Sequence, residues 1–197
     1  MIFKQLFDTK SSTYTYIISS GKGREALIVD PVIENTNKNL KVLKELDIKL
    51  VKVIDIHVKD NEKIKIENIE LISIYTPGHT DCSYSFLMKD RVFTGDTLLI
   101  NGIGRTDFQS GNSYDAYDSL FNKLLKLPEK TLVYPAHDYS GKKHSTVENE
   151  KNYNPRLQVS SAEEYAEIMD NLNLKNPDMI DVAVPANIKG FTLDRVS

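Results

Sequence analysis

Short runs of β-branched and aromatic residues, broken by polar positions, fill the first half of the chain, and helical spacing enters from the middle onward. Residues 14–19 and 25–30 read as two strands joined by Ser-Gly-Lys-Gly-Arg, a stretch with hairpin chemistry, and Pro31 ends the second strand. Leu40, Leu43 and Leu46 recur at helical spacing, and nearby Asn and Thr residues can cap a helix over residues 35–46. Residues 50–57, rich in Val and Ile, read as a buried strand. Two further strands are expected at 63–66 and 69–75, and a hairpin at 84–88 and 91–94 turns around Lys89-Asp90. Residues 113–127 predict one amphipathic helix with Tyr117, Leu120, Phe121, Leu124 and Leu125 on one side. A short strand at 131–134 precedes helices at 147–153 and 162–172. Ser160-Ser161 caps the second of these and Glu163 and Glu164 stand in its first turn. The chain beyond residue 172 reads as an extended tail.

No repeat, low-complexity tract or linker divides the 197 residues, so a single domain over residues 1–197 is expected. The order of elements suits an α+β fold in which helices pack outside two stacked sheets. Hydrophobic residues make up 40% and charged residues 27%, a globular composition with enough apolar mass for a core. A net charge of -3 with scattered basic residues leaves no electrostatic footprint for a nucleic acid, and Lys142-Lys143-His144 reads as a solvated loop. The N-terminal residues lack the apolar core of a signal peptide and no run approaches a membrane span, so no membrane partner is expected. The single cysteine, Cys82, excludes an intramolecular disulfide and fits a reducing compartment. Cytoplasm is the expected location, or an organellar matrix if the chain is a mature form.

Three residues then suggest chemistry. His57 ends the strand over 50–57, His79 follows the turn Pro77-Gly78, and Asp96 follows Thr94-Gly95. Each taken alone fits a satisfied polar residue at a strand end or in a turn. Three of the four histidines sit at such boundaries, however, the third being His137 in Pro-Ala-His-Asp-Tyr. Two imidazoles and one carboxylate are the ligand set of a non-haem Fe(II) centre, which leaves positions open for substrate and O₂.

Longer stretches carry a resemblance. They are Gln5-Leu-Phe-Asp, Ser11-Ser-Thr-Tyr-Thr-Tyr, Asp30-Pro-Val, Thr76-Pro-Gly-His-Thr and Phe93-Thr-Gly-Asp-Thr-Leu-Leu-Ile. Gly104-Arg-Thr-Asp-Phe-Gln, Tyr134-Pro-Ala-His-Asp-Tyr, Asn154-Pro-Arg, Asn171-Leu-Asn-Leu and Ala183-Val-Pro-Ala-Asn continue the series. On these the chain resembles the metallo-β-lactamase superfamily and, within it, the persulfide dioxygenases. The resemblance implies an αββα sandwich and one Fe(II) per chain held by His57, His79 and Asp96. It implies oxidation of glutathione persulfide with O₂ and water to sulfite and glutathione. It places His137 near the iron without ligating it, a position that binds a second metal in dinuclear relatives. Arg105 matches a family arginine that either holds a loop through a carboxylate such as Asp107 or helps hold an anionic substrate. His137 and Arg105 are thus the candidate catalytic residues, and Cys82 reads as a bystander beside the His79 loop.

The chain departs from the family at one place. The family signature is His-x-His-x-Asp-His, but here His57-Val58 runs directly into Lys59-Asp60-Asn61-Glu62. The fold is therefore expected to be reduced by about one helix and one strand, through an internal deletion after the signature's first histidine. A glyoxalase II-like thiolester hydrolase needs the missing second-metal ligands, which disfavours that reading. A paralogue that binds a thiol or a partner without catalysis is the other alternative. The loss should open a sheet edge that a homodimer or a rearrangement would cover, and it should leave a loose junction at residues 59–62.

Overall fold

Strand alternation sorts the apolar residues onto two facing sheets. The computed structural model describes residues 1–54, 58–108, 110–172 and 174. The first sheet runs β1 (Ile2–Asp8), β2 (Thr13–Ser19), β3 (Glu25–Val29) and β4 (Lys49–Ile54) in that order, antiparallel except for the parallel β3–β4 pair. Helix α1 (Thr36–Glu45) makes the crossover between β3 and β4. Four strands follow, β5 (Lys63–Ile66), β6 (Ile69–Tyr75), β7 (Tyr84–Leu87) and β8 (Arg91–Gly95), then a separate hairpin of β9 (Leu98–Leu99) and β10 (Gly102–Ile103). Strands β11 (Leu132–Pro135) and β12 (Ser145–Thr146) complete a second sheet ordered β12-β11-β8-β7-β6-β5. Helices α2 (Ser113–Tyr117), α3 (Val147–Tyr153) and α4 (Ala162–Asp170) stand around it.

Between the sheets, Tyr16, Ile18, Leu27 and Val29 meet Leu71, Phe86, Phe93 and Tyr134. Outside the first sheet, Leu43 of α1 covers Ile17, Ala26 and Ile28. Outside the second, Tyr165 and Met169 of α4 pack with Leu120, Leu124 and Val133. Three apolar layers therefore separate helix, sheet, sheet and helix, the αββα sandwich that the sequence predicts. Full burial of each large side chain contributes about 1.5–3 kcal/mol.

Four local features differ from the sequence expectation. Alternation does not predict strand β1, because its apolar residues come in adjacent pairs that mask it. Phe3 and Phe7 face the inter-sheet core while Ile2 and Leu6 face the α1 side, so both faces are used. The single helix expected over 113–127 is α2, then a π-helical turn at Asp118–Lys123, then a 3₁₀ turn at Leu124–Lys126. Within the π turn, Ser119 Oγ donates to the Pro77 carbonyl at 2.7 Å, so the irregularity lies against the His79 loop. Strand β4, expected to be buried, is a sheet edge among the described residues, with Val51 and Val53 43% and 50% exposed. The rest of that predicted strand, residues 55–57, lies outside the described residues, as does the predicted tail apart from Leu174.

The fourth difference is the junction. Asn61 N donates to Ser73 O at 2.9 Å, Ser73 N to Glu62 O at 3.0 Å and Ser73 Oγ to Lys59 O at 2.6 Å. The Asp60 carboxylate accepts from Tyr75 N at 2.7 Å and that of Glu62 from Lys59 N at 3.0 Å. Asn61 has φ 58°, a left-handed conformation that Asn tolerates. Residues 59–62 are thus a hydrogen-bonded prolongation of the β5–β6 hairpin rather than a loose loop. The amides of Asn61 and Ser73 are expected to exchange slowly in hydrogen–deuterium exchange; exchange at free-loop rates would contradict this.

Candidate metal centre

His79 is delivered by the loop after β6. Gly78 has φ +135°, and a Cβ added there would lie 2.3 Å from Ala116 Cα in α2, so only glycine lets the helix close on this turn. Asn112 caps α2 through its side chain while its own amide donates to the Gly78 carbonyl at 2.9 Å. His79 Nδ1 lies 2.7 Å from the Arg105 carbonyl oxygen. A carbonyl only accepts, so a proton sits on Nδ1, and in the neutral ring the Nε2 lone pair is then the one open to a metal.

Asp96 stands in a tight turn in which Thr97 N donates to Thr94 O at 3.0 Å and Gly95 has φ +52°. Thr94 Oγ1 donates to Leu98 O at 2.7 Å, and Ala136 N donates to Gly95 O at 2.9 Å. Thr97 Oγ1 lies 3.2 Å from Thr76 Oγ1 and donates to Thr76 O at 3.3 Å, so the Asp96 turn and the His79 loop are joined through buried hydroxyls.

His137 follows β11. Its Nδ1 lies 2.5 Å from Asp96 Oδ1 and its Nε2 3.0 Å from Thr13 Oγ1. Burial works against the Asp96 charge, but the hydrogen bond from His137 and the two nearby imidazoles outweigh it and hold Asp96 below the usual carboxylate range. Burial likewise disfavours charge on His137, and the Asp96 hydrogen bond and charge reverse the balance and raise its pKa.

The remaining oxygen, Asp96 Oδ2, lies 3.8 Å from His79 Nε2, and both side chains are about a quarter exposed, at 25% and 29%. Two donors each about 2.1 Å from one ion can stand at most about 4.2 Å apart, so this pair fits one first-row divalent metal. The third assigned ligand, His57, lies outside the described residues, and among the described residues no group of three such side chains is arranged to hold an ion.

Arg105 meets the His79 ring through its backbone carbonyl. Its guanidinium makes a two-pronged contact with Asp107 at 2.6 and 2.5 Å and lies 3.7 Å from the Phe108 ring centroid. The hydrogen bond from Arg105 holds Asp107 below the usual carboxylate range. These contacts favour the loop-holding role over the substrate role. Cys82 is exposed, 3.5 Å from Thr80 Oγ1, and touches none of these groups in its described contacts.

Sequence reasoning assigned no role to Gly104, Thr13, Glu150 or Asn154, although the first, second and fourth lie within the matching stretches. A Cβ on Gly104 would lie 2.1 Å from Asp96 O and 2.9 Å from His79 Nδ1. Glu150 and Asn154, both fully buried, hold the β9–β10 hairpin leading into Gly104. Glu150 Oε2 accepts from Asn101 N at 2.9 Å and Asn154 Nδ2 donates to Gly102 O at 2.9 Å.

The sequence model described as Metallo-beta-lactamase superfamily matches residues 34–137, more than half of the chain. The chain belongs to the metallo-beta-lactamase superfamily. Its relatives within this superfamily include the mitochondrial persulfide dioxygenase ETHE1 of Mus musculus, 37% identical over 225 residues that cover 96% of this chain and 88% of the mouse protein. The crystal structure of ETHE1 from Myxococcus xanthus superposes with a TM-score of 0.91 at 43% identity, over 95% of this chain and 98% of that one. A hydroxyacylglutathione hydrolase of Dictyostelium discoideum is 29% identical over 72% of this chain and 70% of its own length. Membership of the metallo-beta-lactamase superfamily implies a metal-binding site. Among the described residues no helix is long and apolar enough to cross a membrane.

Proposed function

We propose that the chain is a mononuclear iron persulfide dioxygenase, converting glutathione persulfide, O₂ and water to glutathione and sulfite. The observation that carries this reading is the state of His137. With Nδ1 bonded to Asp96 and Nε2 to Thr13, both ring nitrogens are already engaged within the protein, which favours one metal over two. Asp60 and Glu62, the carboxylates nearest after His57, are likewise engaged in the junction turn. Both features support one metal rather than the two of a thiolester hydrolase. They weigh against the activity of the Dictyostelium relative and for that of the mouse and Myxococcus proteins.

In this reading His57, His79 and Asp96 hold the ion, and a ferrous ion there supplies the redox chemistry and open positions for persulfide sulfur and O₂. The protein supplies the placement. The Arg105 carbonyl sets the His79 tautomer, His137 occupies one Asp96 oxygen so that the other faces His79, and the Arg105–Asp107 pair braces the loop carrying that carbonyl. The internal deletion is supported by the alignment with the mouse protein. It spans 225 positions although this chain contributes only 96% of 197 residues, so the relative has positions without counterpart here. We place the gap after His57, and β4, which precedes it, is a sheet edge among the described residues. The lone cysteine and the mitochondrial relative both fit a reducing compartment, cytoplasm or organellar matrix.

The test is O₂ uptake with glutathione persulfide on protein loaded anaerobically with Fe(II), with iron and sulfite measured in the same sample. Uptake that requires both iron and persulfide, with sulfite formed, is the expected result. Bound iron with no uptake would reject the dioxygenase, and two zinc ions with thiolester cleavage would establish the hydrolase.

A further inference from the structure

The turn between β1 and β2 belongs to the first sheet, yet it is stitched to the end of β11 in the second. Tyr14 N donates to Ala136 O at 2.6 Å, Asp138 N to Ser12 O at 3.2 Å, and Thr13 and His137 form an isolated antiparallel bridge. These backbone bonds need no particular side chain at residue 13. They place Thr13 Oγ1 3.0 Å from His137 Nε2, on the side of the ring away from Asp96.

We propose that Thr13 is a positioning residue of the metal centre, acting through His137 on the Asp96 carboxylate. This rests on the metal-centre reading above. The end torsions of Asp and His side chains are broad and roughly two-fold, so neither group defines its own orientation. An imidazole held at Nδ1 alone can swing about its stem; held at Nε2 as well, it is fixed in plane. His137 so fixed keeps Asp96 Oδ1 occupied and leaves Oδ2 as the oxygen beside His79 Nε2, 3.8 Å away. Without the Thr13 hydroxyl the carboxylate is free to turn, and the donor pair loses its geometry. Losses of such outer partners typically weaken metal binding by about 10–100-fold.

Cobalt(II) is the probe, because its affinity and visible d–d spectrum report the ligand field without turnover. Thr13→Val keeps the shape and the backbone bonds. It is expected to bind cobalt about 10–100-fold more weakly, with a shifted spectrum, while the melting temperature of the metal-free protein is unchanged. Thr13→Ser, which restores the hydroxyl, should return both affinity and spectrum towards the wild type. In a His137→Ala background, Thr13→Val should have no further effect, because the group it acts through is gone. Wild-type affinity in Thr13→Val, or an equal loss in the His137→Ala background, overturns the proposal while the metal-centre reading stands. Wild-type protein that binds neither cobalt nor ferrous ion overturns that reading, and the role of Thr13 with it.

Discussion

Asp96→Asn protein is expected to fold normally and, on the proposed iron-centre reading, to lose the bound metal. An Asn carbonyl oxygen can still accept the hydrogen bond that Asp96 Oδ1 takes from His137 Nδ1, so the packing of the two turns survives. The group facing His79 Nε2 then becomes a neutral amide, and the anionic donor of the pair is lost. His79→Ala removes the other donor and leaves the Arg105 carbonyl without its imidazole partner. Loss of outer-shell partners alone costs about 10–100-fold in metal affinity, so loss of a direct ligand should exceed that range in either variant. Iron content after anaerobic loading and gel filtration should fall from about one per chain, the single ion of a two-His, one-carboxylate site, to background. The melting temperature of Asp96→Asn should stay near that of the metal-free wild type. Unchanged iron in both variants would reject His79 and Asp96 as ligands, whatever the role of His57.

Gly104→Ala is the second large expected effect, and it arises from a residue without functional groups. An added Cβ meets the Asp96 carbonyl oxygen at 2.1 Å and the His79 ring at 2.9 Å. The first contact is with backbone, so relief requires the Asp96 turn or the β10 end to move. The second pushes on the ring whose Nδ1 proton is held by the next residue's carbonyl. Overpacking of this kind costs about 1–3 kcal/mol of stability. The displacement falls on both of the proposed metal donors, Asp96 and His79, so metal affinity should drop by more than about tenfold. Gly102→Ala is the control, because its Cβ would meet only Leu99 Cβ at an ordinary 3.7 Å. Melting temperature and cobalt titration on both variants decide the matter. Equal behaviour of the two would show that the close approach at Gly104 is not needed.

Local chemistry made much of this molecule legible in the chain. Val- and Ile-rich runs announced most strands, and Ser161 and the acidic residues behind it announced the start of α4. Pro77-Gly78 and Thr94-Gly95 marked His79 and Asp96 as side chains set on tight turns. Where adjacent positions serve opposite faces, the pattern failed. In β1 the paired apolar residues satisfy two cores at once, so the strand shows no alternation. The π-helical turn was likewise hidden, because Ser119 meets Pro77 across 42 positions and helical periodicity carries no trace of such a contact.

The residue types of the candidate metal centre, and the place of His79 and Asp96 on turns that follow strands, are legible in the sequence alone, because turn chemistry is written in neighbouring residues. The tertiary structure alone decided which nitrogen of His79 is free, that both nitrogens of His137 are engaged, and that Gly104 must lack a side chain. Thr13 and His137 are 124 positions apart, and they meet because the two sheets pack face to face. Contacts of that kind depend on sheet order and register, which are settled by burial of whole faces and not by any short stretch of chain.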